Sequence, residues 1–87
     1  MYFVYILYSE KDGKLYVGCS GNLNKRIARH NNGLVLATKN RRPLVCIYYE
    51  SFTSKGEAFA RERYLKSLWS AHFKEKIKKD YLNKQSA

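Results

Sequence analysis

Acidic residues, cysteines and long apolar stretches are all scarce in this 87-residue chain. Seven Asp and Glu oppose 17 Lys and Arg, so the formal net charge is +10. With only Cys19 and Cys46, we expect no disulfide framework and no zinc site, but free thiols in a reducing cytoplasm. Without an apolar run of about 18 residues or the basic start of a signal peptide, we expect neither a membrane span nor secretion. The composition therefore excludes secreted disulfide proteins, zinc fingers and membrane channels.

The excess of positive charge predicts a polyanionic partner, most often nucleic acid. The charge is unevenly distributed, because residues 25–42 contain six bases and no acid, and residues 63–87 contain seven bases and two acids. Residues 43–62, between these two basic segments, are nearly neutral. Charge alone does not separate a nuclease from a ribosome-binding protein.

Strand signals occur three times along the chain. Residues 2–8 are a continuous run of aromatic, aliphatic and β-branched side chains, which is typical of a buried strand. The turn signal Asp12-Gly13 precedes a second strand at residues 15–17. We expect this strand to end at Gly18 and to pair with the first as a hairpin. Residues 44–52 predict the third strand.

A first helix is predicted between the second and third strands. Asn22 is a suitable N-cap, and we expect the helix to run to about His30 with Leu23 and Ile27 on its apolar face. Residues 31–33, Asn-Asn-Gly, are a typical helix stop. Residues 34–43 are expected to form an irregular basic loop.

Two further helices are predicted after the third strand. Ser54 and Glu57 have the spacing of a capping box, which opens a helix expected to run to about residue 69. Its predicted core residues are Ala58, Phe59, Leu65 and Trp69. Ser70 is the predicted cap of a last helix with an apolar face of Phe73, Ile77 and Tyr81. The order β-β-α-β-α-α predicts one α+β domain over residues 1–82, a small sheet packed with helices, followed by a frayed tail at 83–87.

Tyr5 and Tyr16, on the first two predicted strands, form the first candidate feature. Side chains on neighbouring antiparallel strands face each other when the register permits. Gly18, at the expected end of the second strand, would allow a ligand to approach the backbone. The alternative is that both rings simply pack in the core.

Arg26 and His30 form the second candidate feature, because residues four apart in a helix share one face. An arginine binds phosphate through two parallel hydrogen bonds, and a histidine transfers protons near neutral pH. The alternative is a solvated helix face whose C-terminal histidine is favoured by the helix dipole.

Glu62 is the third candidate feature. It lies one helical turn from both Ala58 and Leu65, which draws it towards the apolar side of its helix. A carboxylate near a core is costly unless it is paired or binds a metal. A lone carboxylate suits Mg²⁺, which keeps water and substrate phosphate as its other ligands. The alternative is an ion pair with Arg26, Arg61 or Lys66.

Together these features resemble the motifs of the GIY-YIG endonuclease family, most of all its small stand-alone bacterial members, which are similar to the nuclease subunit of excision repair. The resemblance covers residues 2–66 in order and spacing. Phe3 stands where the family name has its first glycine, and Cys19 stands where some repair enzymes have a lysine. The four matching blocks are Val4-Tyr5-Ile6-Leu7, Tyr16-Val17-Gly18, Leu23-x-x-Arg26-x-x-x-His30-Asn31 and Ala58-x-x-x-Glu62-x-x-Leu65-Lys66.

The resemblance implies a three-stranded antiparallel sheet flanked by helices, and metal-dependent hydrolysis of DNA phosphodiesters with low sequence specificity, in repair or recombination. Glu62 would hold one Mg²⁺ or Mn²⁺ ion at the scissile phosphate. Tyr5 or Tyr16 would take the proton from the attacking water, for which a nearby cation or metal must lower its pKa from about 10. Arg26 would neutralise a phosphate oxygen, and His30 would assist proton transfer or bind the adjacent phosphate.

DNA is the expected partner, held through its backbone by these basic side chains: Lys25, Arg29, Lys39, Arg41, Arg42 and Lys66. We expect no separate DNA-binding domain, so specificity would come from DNA shape, from a second copy of the chain in a homodimer, or from another protein. Two alternatives stay open. One is a nucleic-acid-binding module of the same fold that does not cleave. The other is a ribosome-associated structural protein, which explains the charge but not the three candidate features.

Overall fold

Three strands and three α-helices follow one another in the order β-β-α-β-α-α in the computed structural model, which describes residues 1–86. The strands are β1, Tyr2–Ser9, β2, Leu15–Ser20, and β3, Leu44–Phe52. The helices are α1, Leu23–Asn31, α2, Lys55–Lys66, and α3, Ala71–Ser86. Two short 3₁₀ helices, Lys39–Arg41 and Leu68–Ser70, precede β3 and α3. Within the described residues, none of the helices is both long enough and apolar enough to cross a bilayer.

The three strands form one antiparallel sheet in the order β2-β1-β3, which confirms the predicted hairpin and the α+β class. The central strand β1 has four consecutive residues that are fully buried: Val4, Tyr5, Ile6 and Leu7. Neighbouring side chains of a strand point to opposite faces. A continuous apolar run therefore buries both faces of the sheet, and helices must cover both.

Each face of the sheet has its own core. On one face, α2 contributes Ala58 and Leu65, and α3 contributes Phe73. On the other face, α1 contributes Leu23 and Ile27, which confirms the predicted apolar side of that helix. The sheet therefore lies between α1 on one side and α2 with α3 on the other.

Helix α1 is fixed at both ends by asparagine side chains. At its start, the side chain of Asn22 accepts a hydrogen bond at 3.1 Å from a backbone N–H of the first turn, as predicted for an N-cap. At its end, the Asn31 amide donates to the carbonyl of Leu44 on β3 and accepts from its N–H, both at 2.8 Å. These contacts set the orientation of Arg26 and His30 on the helix between them.

Several predicted boundaries differ from the structure. Gly18 does not end β2, which continues to Ser20. Helix α2 ends at Lys66, short of residue 69, because the next residue adopts an extended backbone. Helix α3 extends to Ser86, so it includes residues 83–86, for which fraying stays a prediction, and Ala87 lies outside the described residues.

Two core predictions are wrong, since Phe59 is 43% exposed and Trp69 is 87% exposed. Phe59 follows Ala58 and so points about 100° around the helix from the buried side. Trp69 lies in the 3₁₀ helix after α2 has ended, where the helical period no longer applies. Nearby, the Ser70 hydroxyl donates to the carbonyls of Leu65 and Ser67 and does not cap α3.

Candidate active site

Tyr5 lies at the centre of the sheet face that α1 covers, directly opposite Gly18 on β2. A Cβ added at Gly18 would overlap the phenol ring, with Cε2 of Tyr5 only 2.5 Å away. Residue 18 must therefore be a glycine for the ring to cross β2. The space that the sequence assigns to an approaching ligand is filled by the Tyr5 ring itself.

His30, in the last turn of α1, is fully buried and forms a hydrogen bond at each ring nitrogen. Its Nε2 lies 2.9 Å from the hydroxyl of Tyr5, and its Nδ1 lies 2.7 Å from the hydroxyl of Thr38. Thr38 is also fully buried. The sequence prediction missed Thr38, because a threonine in a loop without periodicity carries no spacing signal.

His30 is a neutral imidazole near neutral pH. Burial, with a smaller contribution from the charge of Arg26, lowers the pKa of His30 to about 4. A neutral ring has one N–H donor and one acceptor nitrogen. The hydrogen bonds therefore run in one direction, either from Tyr5 through His30 to Thr38 or the reverse.

The two candidate tyrosines both contact His30 but differ in environment. Burial raises the pKa of Tyr5 above its ordinary value of 10.0, and the guanidinium of Arg26 offsets only part of that effect. Tyr16 is half-buried, and its ring meets the imidazole edge-on with centroids 5.2 Å apart. The structure therefore brings Tyr5, Tyr16, Arg26 and His30 into one cluster.

Arg26 borders a small cavity of about 130 Å³ on the surface beside this cluster. We call it the basic cavity, and its lining residues are Ser20, Asn22, Lys25, Arg26 and Arg29. Among residues 1–86, the Nε of Arg26 is a buried donor without a hydrogen-bond partner. An unsatisfied buried donor is costly, and a phosphate oxygen is the acceptor that three neighbouring cations attract. Lys25 and Arg29, two of the predicted DNA-binding residues, line this cavity together with Arg26, and their contact with DNA stays a prediction.

Glu62 lies on α2, which packs on the other face of the sheet from α1, and its side chain is 22% exposed. Its charge contributes to raising the pKa of both Tyr5 and Cys19, which places it within electrostatic reach of them. Its carboxylate forms an ion pair with Lys66 at 3.2 Å, one of the three partners considered as alternatives from the sequence.

The chemistry around Glu62 fits a metal held by one protein carboxylate. Within residues 1–86, no group of three or more His, Cys, Asp and Glu side chains converges on one point. Mg²⁺ is often bound through one or two carboxylates and completes its shell with water and substrate phosphate. A partly exposed carboxylate suits that mode, and Mg²⁺ or Mn²⁺ at Glu62 stays a prediction.

The other predicted DNA contacts differ in whether their charged groups already have a partner within the protein. Arg41 forms an ion pair with Asp12 at 3.0 Å and donates to the carbonyl of Leu15 at 3.4 Å. Arg42 donates to the carbonyl of Lys39 at 2.8 Å, while Lys39 itself is exposed. Arg41 therefore already fastens the loop before β3 to the β1–β2 hairpin.

A second polar cluster lies on the opposite face of the sheet. Arg61 donates two hydrogen bonds to Glu50, at 2.9 and 3.0 Å, and the hydroxyl of Tyr48 donates to the same carboxylate. Arg61 is thus occupied by Glu50 and is not the ion-pair partner of Glu62. The spacing of residues in the sequence does not predict this cluster, because its residues come from two separate elements, β3 and α2.

Comparison with known proteins places this architecture in a family. The family model of the GIY-YIG catalytic domain matches residues 1–78. A UPF0213 protein of Clostridium perfringens is 48% identical over 69 residues, which cover 78% of this chain and 73% of that protein. A UPF0213 protein of Staphylococcus haemolyticus is 46% identical over 68 residues, covering 77% and 82%. The solution NMR structure of a UPF0213 protein from Bacillus halodurans matches with a TM-score of 0.55 and 34% identity, over 88% of this chain and 82% of that one.

The family match includes every candidate catalytic residue, since residues 1–78 contain the whole sheet, α1 and α2. The same segment holds the cluster around His30 and the basic cavity. A nuclease domain implies a nucleic-acid substrate, which agrees with the net charge of +10. On sequence, fold and site together, the chain belongs to the GIY-YIG family.

Proposed function

We propose that the protein is a divalent-metal-dependent endonuclease that hydrolyses DNA phosphodiesters with low sequence specificity, in repair or recombination. The observation that carries the proposal is the buried Tyr5–His30–Thr38 chain beside the unpartnered Nε of Arg26. A module that only binds DNA needs cations at its surface. Phosphodiester hydrolysis needs, in addition, a positioned side chain that exchanges protons, and the hydrogen-bonded phenol and imidazole are groups of that kind.

Proton transfer is assigned to the tyrosines that contact His30. The water that attacks the phosphate must lose a proton, which a positioned side chain accepts. To accept that proton at its oxygen, Tyr5 must first be ionised, which burial opposes and the charge of Arg26 favours. The hydrogen bond to Nε2 of His30, 2.9 Å away, holds the phenol oxygen in place. Tyr16 is the alternative base, so Tyr5→Phe and Tyr16→Phe variants distinguish the two.

Charge stabilisation is assigned to Arg26 and Glu62. Arg26, which lines the basic cavity and whose Nε has no hydrogen-bond partner in the free protein, binds a non-bridging phosphate oxygen through its guanidinium. Glu62 would hold the Mg²⁺ or Mn²⁺ ion, which supplies charge stabilisation of the transition state when bound. Lys66, which pairs with Glu62 in the free protein, would then be available to a phosphate.

The test is cleavage of labelled duplex, flapped and single-stranded DNA in Mg²⁺ or Mn²⁺ by wild type, Glu62→Gln and Glu75→Gln. Glu75 is an exposed glutamate on α3 and serves as the matched control. We expect Glu62→Gln to lose roughly a hundredfold or more in cleavage rate, in line with the loss of one charge-stabilising group. DNA affinity in EDTA should stay within about twofold, and Glu75→Gln should cut like wild type.

Two outcomes overturn the proposal. If the wild-type protein binds DNA but cuts none of the three substrates, it is the non-cleaving nucleic-acid-binding module considered above. Equal cleavage by Glu62→Gln and wild type would remove the metal role of Glu62.

A further inference from the structure

An open groove lies beside the basic cavity, at the start of helix α1. We call it the aromatic groove, and its volume is about 360 Å³. Its lining residues are Phe3, Gly21, Asn22, Leu23, Asn24 and Tyr49. It is outside the set of residues assigned to catalysis above.

Two aromatic rings form one side of the aromatic groove. Tyr49 pairs with Tyr5 across β1 and β3, and Phe3 lies two residues before Tyr5, so both rings share the face that α1 covers. The first residues of helix α1, Leu23 and Asn24, form another side of the groove, and Tyr49 is 57% exposed. The rings of Phe3 and Tyr49 contact each other edge-on, with centroids 6.1 Å apart.

The aromatic groove and the basic cavity are adjacent, because Asn22 lines both. The groove offers aromatic faces and the side-chain amide of Asn24, which can donate to and accept from the edge of a heterocycle. The Asn22 oxygen caps α1, so Asn22 offers its amide NH₂ as a donor. The basic cavity offers Lys25, Arg26 and Arg29 for an anion. A flat polar ring joined to a phosphate is the chemistry that matches this pair of sites.

We propose that the aromatic groove binds one unpaired nucleobase, adjacent to the phosphate held in the basic cavity. The inference rests on the proposed function in that the basic cavity receives a DNA phosphate. A base inside an intact duplex is stacked on both faces and paired along its edge, so it is not free to stack on Tyr49. The groove therefore directs the protein to DNA in which a base is already extruded, as at a bulge or in a single strand.

The test is the binding of a duplex with one bulged 2-aminopurine, and of the fully paired duplex, to the full chain in EDTA. The variants are Tyr49→Ala, which removes the ring, and Tyr49→Phe, which keeps it. Trp69→Ala is the matched control, because Trp69 is an exposed aromatic outside the groove. Base–aromatic stacking predicts that Tyr49→Ala loses roughly tenfold in affinity for the bulged duplex.

The expected pattern has three parts. Affinity for the paired duplex changes by less than about twofold in Tyr49→Ala, because phosphate contacts dominate there. Tyr49→Phe and Trp69→Ala keep the preference for the bulge. The change in 2-aminopurine fluorescence on binding wild type disappears in Tyr49→Ala.

Other outcomes overturn the inference. If Tyr49→Ala keeps the wild-type preference and fluorescence change, the groove does not hold the base. If Tyr49→Ala changes only self-association in sedimentation, the groove is a protein contact. Because binding is measured without metal, a protein that captures the base but cuts no DNA upholds this inference and overturns the endonuclease. A protein that cuts paired and bulged DNA equally, with or without the Tyr49 ring, upholds the endonuclease and overturns this inference.

Discussion

At the residue scale, Tyr5 and Gly18 depend on each other. The phenol hydroxyl reaches His30 only because the ring crosses β2 at a residue without a side chain. In the sequence motif, Tyr5 and Gly18 are two separate positions. In the structure the ring of Tyr5 packs directly on the backbone of Gly18. A change at Gly18 should therefore act on the hydroxyl of Tyr5.

We expect Gly18→Ala to lower the free energy of unfolding by about 1–3 kcal/mol, the usual cost of overpacking a filled core. Gly21→Ala is the matched control, because no atom lies within 4 Å of a Cβ added there. Urea unfolding followed by circular dichroism measures both. Equal stability of the two variants would show that the Tyr5 ring moves away without cost.

At the element scale, local patterns predict most of the fold. The long apolar run of β1, the Asn22 cap and the helical period of α1 are signals within one segment, and each is confirmed. Contacts between segments are not predictable in this way. The contact of Thr38 with His30 and that of Asn31 with β3 depend on how α1 docks. The sequence motif identified the candidate site residues. It did not identify Thr38 or the Leu44 carbonyl, which hold His30 and α1 in place.

The junction between α1 and the loop after it should weaken in acid. His30 stays neutral in the folded chain down to about pH 4, whereas in the unfolded chain it takes up a proton near its ordinary pKa of 6.5. Unfolding therefore binds a proton between these values, and the free energy of unfolding falls as the pH drops. We expect a loss of roughly 2 kcal/mol between pH 7 and pH 5.

Chemical denaturation across that pH range measures the loss. His72→Gln is the control, because His72 is exposed on α3 and the fall should persist in this variant. The His30→Asn variant should be less stable than wild type at pH 7, and its free energy of unfolding should not show the fall towards pH 5. Glu50 is a separate contributor: its pKa is lowered because the hydrogen bonds from Arg61 and Tyr48 outweigh burial, so its effect appears only below pH 4.5. A flat profile in wild type would contradict a buried neutral His30.

At the scale of the whole molecule, the +10 charge is divided between groups that hold the fold and groups that face solvent. Arg41 is engaged by Asp12 and by the carbonyl of Leu15. Lys25 is exposed at the edge of the basic cavity. Composition counts the two residues equally, although the guanidinium of Arg41 is already paired and Lys25 is exposed to solvent.

We expect Lys25→Ala to reduce the slope of log Kobs against log salt for duplex DNA by about 0.9, the value for one lost phosphate contact. Arg41→Ala should leave the slope unchanged and lower the melting temperature instead. Binding titrations at several salt concentrations, with thermal unfolding alongside, measure both effects. A slope that falls equally in both variants would show that the paired guanidinium also binds DNA.

The 87% exposure of Trp69 has a consequence for spectroscopy. It is the one tryptophan of the chain, and a ring already surrounded by water in the folded state changes its emission little on unfolding. Its emission responds when another surface covers the 3₁₀ helix Leu68–Ser70. A blue shift and loss of iodide quenching at rising protein concentration would therefore report a second copy of the chain on that side. DNA held at the basic cavity should leave the emission unchanged.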